Sequence, residues 1–534
     1  MTGNRERLSF ARSIFEPMST TGRDKPRVLS GDRELTHTQL LDHVARAAAG
    51  FSDLGVGGED TVAIMLRNDF PFFEATIAAN SLGAHAVPVN WHFQADETAY
   101  ILRDSKAKTL VIHADLLPRV RAAIPDSVAT FVVPTPEEIR TAYGISEEEA
   151  RLPGDLPVWP NWLADQEPRP LNPPPAPSSM IYTSGTTGNP KGVRRDAYTE
   201  ESAGRLAEMV AIAFDLRPGA DFRTVITGPM YHSAPNVYGM YTVRNEGLCV
   251  LQPRFDPEEL LRLIEQHRVT HLHMVPTMFI RLLKLPDETK AKYDLSSLRF
   301  VVHAAAPCPH DTKRRMIEWW GPVINEYYGS TETGIAVLHS SEEAIRKPGT
   351  VGRPIKGATV RIYDDSGDVL QPNEVGEVYI RTEGFPDFTY NGLEQQRREI
   401  ERDGFVTVGD VGYIDEDGYL FLCDRKRDMV ISGGVNIYPA EIEAALVSMP
   451  GIHDSAVFGI PDDEFGESLA AFIEPETGTE LEARAVREFL AERLAHYKVP
   501  KVIEFRSQLP REDSGKIFKR KLRAPYWERS GRQI

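Results

Sequence analysis

Three things are scarce in this chain, and each scarcity excludes a class of function. Cysteine comes first. There are 3 in 534 residues (Cys249, Cys308 and Cys423), far apart and without a CxxC pair. Spacing therefore indicates neither a disulfide framework nor a thiolate zinc site, and reduced thiols in a cytoplasmic protein are expected. Long apolar runs come second. None reaches the ~20 residues that cross a bilayer, and the opening MTGNRERLSFARSIFEP lacks a signal-peptide core. Positive charge comes third. Lys and Arg number 61 against 78 Asp and Glu, a net charge of −17. Duplex binding normally needs a basic face, so nucleic acid is not an expected partner. Any anionic ligand must find local basic groups. No pattern specifies an oligomeric state.

What is present suits a globular protein of at least two domains. From residue 60 to about 335, short apolar runs alternate with helix-like ones: TVAIML (61–66), FFEATIAANSLGA (72–84), HAVPV (85–89), LRFVVHAAA (298–306), PVINEYY (322–328). That alternation predicts an α/β layering with parallel strands. Asp256, Pro257 and Glu259 mark a helix start with a capping box before Leu260, Leu263 and Ile264. The proline-rich QEPRPLNPPPAPSS (166–179) is expected to be a surface connection. Beyond residue 405 the texture changes. GYIDEDGYLFLCDRKRD (412–428) reads as a hairpin with an Asp-Gly turn, and the last hundred residues form a small α+β pattern. The expected division is 1–426 for a large N-terminal domain of layered α/β subdomains and 427–534 for a small mobile α+β domain.

Residues 182–193, YTSGTTGNPKGV, hold the first chemical signal. Gly185, Gly188 and Gly192 allow close backbone approach. Ser184, Thr186 and Thr187 offer hydroxyls, and Lys191 offers a point charge. The spacing is not that of a Walker A loop, and no hydroxyl follows the lysine to hold magnesium. Composition alone leaves a phosphate loop and a polar surface turn equally open.

The whole string resembles the phosphate loop of the adenylate-forming superfamily, which includes acyl-CoA synthetases, firefly luciferase and the adenylation domains of nonribosomal peptide synthetases. Further signatures follow in the family's order: GPMYHSAPN (228–236), HAAAPCP (303–309), YYGSTETG (327–334), FVTVGDVGYIDEDGYL (405–420), DRKRDMVISGGVNIYPAEIE (424–443) and PREDSGKIFKRKL (510–522). The resemblance spans residues 182 to 522.

It implies an acyl-CoA ligase working in two half-reactions with ATP, Mg2+ and coenzyme A. A carboxylate attacks the α-phosphate of ATP, and a thiol then displaces AMP from the acyl-adenylate. Carried over, Glu332 is the magnesium ligand and Thr331 an α-phosphate donor. Thr183 to Gly188, with Lys191, hold the departing phosphates. Ala304, Ala305, Ala306, Glu326, Tyr327, Tyr328 and Gly329 surround the nucleotide, with Tyr328 flanking adenine. Asp410 accepts from the ribose hydroxyls, and Arg425 sits near the ribose or phosphate. Lys516 is the lysine of the adenylation step, Arg427 the pivot of a swinging domain, and Gly433 and Gly434 the thiol tunnel. His232 gates the acid carboxylate. Arginine at the pivot is a mild departure, since relatives often carry Asp or Lys there.

Tyr231, His232, Asn236, Gly239, Val302 and Gly329 are the expected acid pocket. Acetate-specific relatives have tryptophan where this chain has Gly329, so the expectation is a deeper pocket for a medium-to-long fatty, aryl or other bulky apolar acid. Taken singly, several of these residues have plainer readings. Tyr328 and the alanines could be core packing, Asp410 and Arg425 a surface pair, His232 a buried structural histidine, Gly433 and Gly434 a turn, and Lys516 part of a solvated basic tail. The alternatives at the level of function are a free-standing adenylation enzyme that loads a carrier protein and a degenerate nucleotide-binding regulator. The absence of a carrier-domain pattern after the tail favours CoA. The expected partners are thus a small carboxylic acid and CoA.

Overall fold

The computed structural model describes residues 26–171, 177–183, 190–216, 220–245, 247–426, 428–432, 435–511 and 517–530. Two sheets account for the alternating pattern. The first has four parallel strands in the order His85–Pro88, Thr61–Met65, Thr109–His113, Ala129–Val133. Thr61–Met65 is buried along its whole length, as a central parallel strand covered on both faces should be. The helix Phe70–Ser81 is buried at every position. Its phenylalanines Phe72 and Phe73 join a core shared with the second sheet.

That second sheet has fourteen strands among the described residues. Its parallel part runs Leu248–Leu251, Arg223–Ile226, His271–Met274, Phe300–His303, Ile324–Ser330. It then turns antiparallel through Gly334–His339 and Thr350–Pro354, and continues into Leu420–Arg425 and Phe405–Ile414. Ligands of such sheets gather outside the carboxyl ends of the parallel strands. Here those ends carry the His303–Pro309 loop and the 330–334 turn.

The helix start at Asp256 forms as expected, with Asp256 Oδ1 accepting the Glu259 N–H at 2.8 Å. The reciprocal half of the capping box does not form. The Glu259 carboxylate takes Arg262, one turn on, at 2.6 and 2.7 Å. A third sheet pairs Ile181–Thr183, Lys191–Arg195 and Phe388–Tyr390. Lys191 is therefore the first residue of a strand, directly opposite Thr183.

The large sheet's last strand ends at Arg425, and the small C-terminal sheet begins with Val430–Ser432. This second unit has five strands. Its core holds Ile442, Leu446, Val457, Leu469, Val486 and Leu490. Helix Pro439–Val447 supplies the first two and helix Ala483–Ala491 the last two. Ala440 N–H donates to Asp424 Oδ2 at 2.9 Å, which ties the start of that helix to the end of the large sheet. Lys284 of the large unit meets His453 Nδ1 at 2.8 Å and Glu476 at 3.3 Å. No helix among the described residues is long and apolar enough to cross a membrane.

Candidate active site

Between the two units lies a cleft of ≈ 3820 Å³. The 330–334 turn forms one wall. Ser330 Oγ accepts the backbone N–H groups of Glu332 at 3.2 Å and Thr333 at 3.0 Å, and Thr333 Oγ1 accepts the Ser330 N–H at 3.2 Å. A Ser/Thr-rich string thus closes a turn on itself. Glu332 is buried, with Oε1 accepting the Tyr390 hydroxyl at 3.0 Å. Burial and the adjoining Glu332 push the Tyr390 phenol up, so it stays a donor.

Arg195 anchors the turn from behind. Its Nη2 donates to the carbonyls of Thr331 and Glu332, each at 2.6 Å. Phe385 lies 4.1 Å from the guanidinium carbon and Phe388 5.3 Å. Burial brings this guanidinium down to about 10, still charged at neutral pH. Arg195 and Tyr390 were not foreseen. Their strings, KGVRRD and DFTYNG, show no spacing that would single them out.

A second wall carries Asp410 and Arg425, which are direct cross-strand partners. Arg425 Nε lies 3.4 Å from Asp410 Oδ1, and the Tyr328 hydroxyl donates to Asp410 Oδ2 at 2.6 Å. Burial first, then Asp410, holds the Tyr328 phenol well above its usual range. A carboxylate has about four acceptor sites, so both contacts leave room for further donors. The third wall is the loop after His303. Ala304 is buried, Ala305 and Ala306 are exposed, and Ala305 has φ +74°. A non-glycine residue held there is strained, a condition common at ligand sites.

Elsewhere on the cleft, His232 is the N-cap residue of helix Ser233–Arg244, and its ring lies 4.4 Å from that of Tyr231. Asn236 Nδ2 donates to the Met230 carbonyl at 3.0 Å and Oδ1 accepts Ser179 Oγ at 3.3 Å, so this side chain also braces the loop. Tyr327 and His273 meet at 3.1 Å in the same wall. His273, another unforeseen lining residue, is brought down to about 4 by burial and is neutral at pH 7.

Thr183, Lys191, Tyr231, His232, Asn236, Ala304 to Ala306, Glu326 to Gly329, Thr331, Glu332, Asp410 and Arg425 all line this one cleft. Four expected positions need correction. Val302 is fully buried in the core and does not line the cleft. Gly239 does not line it either, and a Cβ there would meet Met230 Sδ at 3.1 Å and Ile226 Cδ1 at 3.6 Å. The Val302 side chain and the Cβ direction of Gly239 both point into packed core. Glu326 is only 4% exposed, and its carboxylate is taken by Lys313 and by His339 at 2.9 Å. It is a buried counter-ion more than a free nucleotide contact.

Gly329 lines the cleft, but a Cβ on it would lie 2.0 Å from the Gly334 carbonyl oxygen. The hairpin itself demands glycine, so Gly329 is no measure of pocket depth. Ser184, Gly185, Thr186, Thr187, Gly188, Arg427, Gly433, Gly434 and Lys516 lie outside the described residues. Of the described residues nearest to Lys516, Arg511 bridges to Ile517 and is held by Asp454 at 2.7 Å and Glu474 at 3.1 Å.

No group of three or more His, Cys, Asp or Glu that could hold a metal ion occurs among the described residues. Magnesium at a nucleotide is commonly held by one or two carboxylates plus phosphate oxygens. The Glu332 carboxylate, with one oxygen on a neutral hydroxyl, fits that kind of site.

Residues 15–385 match the AMP-binding enzyme family, and 441–516 match the AMP-binding enzyme C-terminal domain. A feruloyl-CoA synthase from an Amycolatopsis species is 34% identical over 499 residues, 93% of this chain and 95% of the relative. The long-chain-fatty-acid–CoA ligase FadD13 of Mycobacterium tuberculosis is 31% identical over 504 residues, 93% of this chain and 94% of the relative. ATP-bound MatB from Rhodopseudomonas palustris superposes with a TM-score of 0.81 at 26% identity, over 97% and 99% of the two chains. Fold and signatures define a member of the adenylate-forming superfamily. Within it, the chain belongs to the AMP-binding enzyme family and is an AMP-forming acid–CoA ligase.

Two predictions follow from this geometry. Burial opposes the Glu326 charge, but His303, Lys313 and His339 outweigh it and hold the carboxyl below its usual range. Its stabilising contribution is present above the unfolded value of about 4.3 and is lost as pH falls below that. Glu326→Gln should cost about 3 kcal/mol in denaturant unfolding at pH 7 and flatten the acid side of the melting-temperature profile. An unchanged profile would contradict the assignment. Gly329→Ala should weaken the hairpin, lowering the melting temperature and activity with every acid alike. A selective loss of long acids would restore the pocket-depth reading.

Proposed function

We propose that this enzyme activates a medium-to-long or bulky carboxylic acid, fatty or aryl, and transfers it to coenzyme A. The observation that carries the reading is one cleft with two kinds of lining. Polar residues, Glu332, Thr331 and the Tyr328–Asp410–Arg425 group, share it with an apolar set that includes Leu206, Met209, Val210, Phe214 and Met240. The printed names of the relatives support it, since feruloyl, long-chain fatty and indoleacetate groups are all bulky acids of those proteins.

In the first half-reaction, an acid carboxylate oxygen bonds to the α-phosphorus of ATP, and the bond to pyrophosphate breaks. Two anions must approach in a protein of net charge −17, so local cations and donors dominate the barrier. Lys191 and the loop before it neutralise the departing phosphates. Asp410 and Arg425 fix the ribose, and Tyr328 flanks the adenine. Thr331 donates to the α-phosphate, and His232 orients the acid. Mg2+, held by Glu332, would supply charge neutralisation on the phosphate oxygens. Lys516 joins them from the C-terminal unit as charge builds. In the second half-reaction, residues 427–534 rotate about Arg427 and the CoA thiol enters past Gly433 and Gly434. Its sulfur bonds to the acyl carbon, AMP leaves, and the thiol proton passes to solvent or a nearby base.

Incubation with ATP, Mg2+, CoA and a panel of carboxylic acids tests the reading. Thioester formation should be fastest with medium-to-long or ring-bearing acids. Acetate as the best substrate would sink the size assignment, and acid-dependent pyrophosphate release with no thioester would favour a carrier-protein acceptor. Lys516→Ala should reduce acid-dependent pyrophosphate release by about 10²–10³-fold and harm thioester formation from supplied acyl-adenylate far less. Equal losses in both halves would overturn the swinging-domain role.

A further inference from the structure

Helix Ser233–Arg244 begins at His232 and runs along the acid side of the cleft. Ser233, Val237, Met240, Tyr241 and Arg244 line it, at the three- and four-residue spacing of one helix face. At 1.5 Å per residue, the twelve steps from His232 to Arg244 cover about 18 Å. The walls between them are mostly apolar, with Leu206, Met209 and Phe214 from the facing helix Glu200–Phe214. This helix face thus carries His232 at one end and a guanidinium at the other, both lining the cleft.

That guanidinium is poorly satisfied. Arg244 Nε is buried and has no hydrogen-bond partner, and Nη2 reaches only the Asn80 amide oxygen at 3.4 Å. Among the described residues, the titratable groups that act on it are the phenols of Tyr241 and Tyr198, both neutral at pH 7, with no carboxylate among them, and burial holds it below its ordinary value. Other arginines lining the cleft are answered differently: Arg195 has the Thr331 and Glu332 carbonyls, Arg425 has Asp410, Arg511 has Asp454, Arg523 lies 4.0 Å from Asp428, and Arg520 is exposed to solvent. A half-buried cation whose Nε is fully buried and unpartnered, with no counter-ion among the described residues, is costly. A position in the last turn of its helix offsets part of that cost through the helix dipole. It does not satisfy Nε.

We propose that Arg244 binds an acceptor oxygen at the far end of the acid substrate, a second carboxylate or a ketone, so that the preferred acids are apolar in the middle and polar at both ends. The proposal rests on the reading that this cleft activates a carboxylic acid. It sharpens the substrate class from a bulky apolar acid to one with an oxygen-bearing tail. A guanidinium pairs with such oxygens through two parallel N–H bonds, and removing one partner of a site built for hydrogen bonding discriminates strongly.

The test compares three acids of equal length: dodecanoate, dodecanedioate and the corresponding terminal methyl ketone. The readout is kcat/KM for acid-dependent pyrophosphate release, which does not need CoA; thioester yield is recorded separately. The wild type should favour at least one oxygen-tipped acid over dodecanoate. A lead for the diacid identifies a carboxylate tail, and a lead for the ketone a carbonyl. Arg244→Leu should lower the ratio of oxygen-tipped to plain acid by about 30–100-fold, and Arg244→Lys should restore part of it. A wild-type preference for dodecanoate overturns the proposal even if the variants fail to fold. So does a ratio unchanged in Arg244→Leu beside a lower melting temperature, which would mark Arg244 as a helix-end cation only. Pyrophosphate release without thioester would instead overturn the CoA reading and leave the ratio measurable.

Discussion

Arg195 enters the cleft wall from the strand that follows the glycine-rich loop, and its Nη2 holds two consecutive carbonyls of the 330–334 turn. That contact joins sequence positions more than 130 residues apart. It fixes the backbone that presents Thr331 and Glu332, and Tyr390 on the neighbouring strand then orients the Glu332 carboxylate. The three-stranded sheet thus braces the 330–334 turn from behind. Because the guanidinium is buried between two phenylalanines, its hydrogen bonds face little competition from water. A geometry needed for phosphoryl chemistry is held by residues that need never touch the substrate.

The same economy of contacts recurs at the Tyr328–Asp410–Arg425 group. Tyr328, Asp410 and Arg425 come from three strands of one sheet, and each restrains the next. Local pairing places Asp410 opposite Arg425. Only the long-range order of the sheet brings Tyr328 to Asp410 at 2.6 Å. The Glu326 cluster lies on the same strand as Tyr328 and gives that strand a buried electrostatic anchor through Lys313 and His339. Charge is therefore concentrated on the cleft walls of an otherwise acidic chain, where it is screened least.

Much of this was legible beforehand. Strand and helix types followed from period and burial, as in Thr61–Met65, Phe70–Ser81 and Ile452–Asp462. Ordered motifs located the turn at 330–334 and the Asp410–Arg425 pair. Some readings failed for identifiable reasons. Val302 and Gly239 sit near motif residues in sequence, but the strand and helix turn them to the core face. Glu326 was expected beside the nucleotide, but its partners lie 13 residues away on either side, too far for spacing to reveal. Gly329 carried a size argument that its neighbour's carbonyl removes. Arg195, Tyr390, His273 and Arg244 carry no motif at all.

The sequence by itself determined the layering, the family and the chemical types placed at each motif, because short-range periodicity and contiguous strings encode them. It also determined that nothing basic covers the surface at large. Only the tertiary structure decided which polar groups are satisfied by the protein and which remain open to a ligand. Satisfaction depends on partners brought together from distant segments. Two arginines that look alike as letters, Arg195 and Arg244, end in opposite conditions: one holds two carbonyls, and the other has a buried N–H with nothing to donate to.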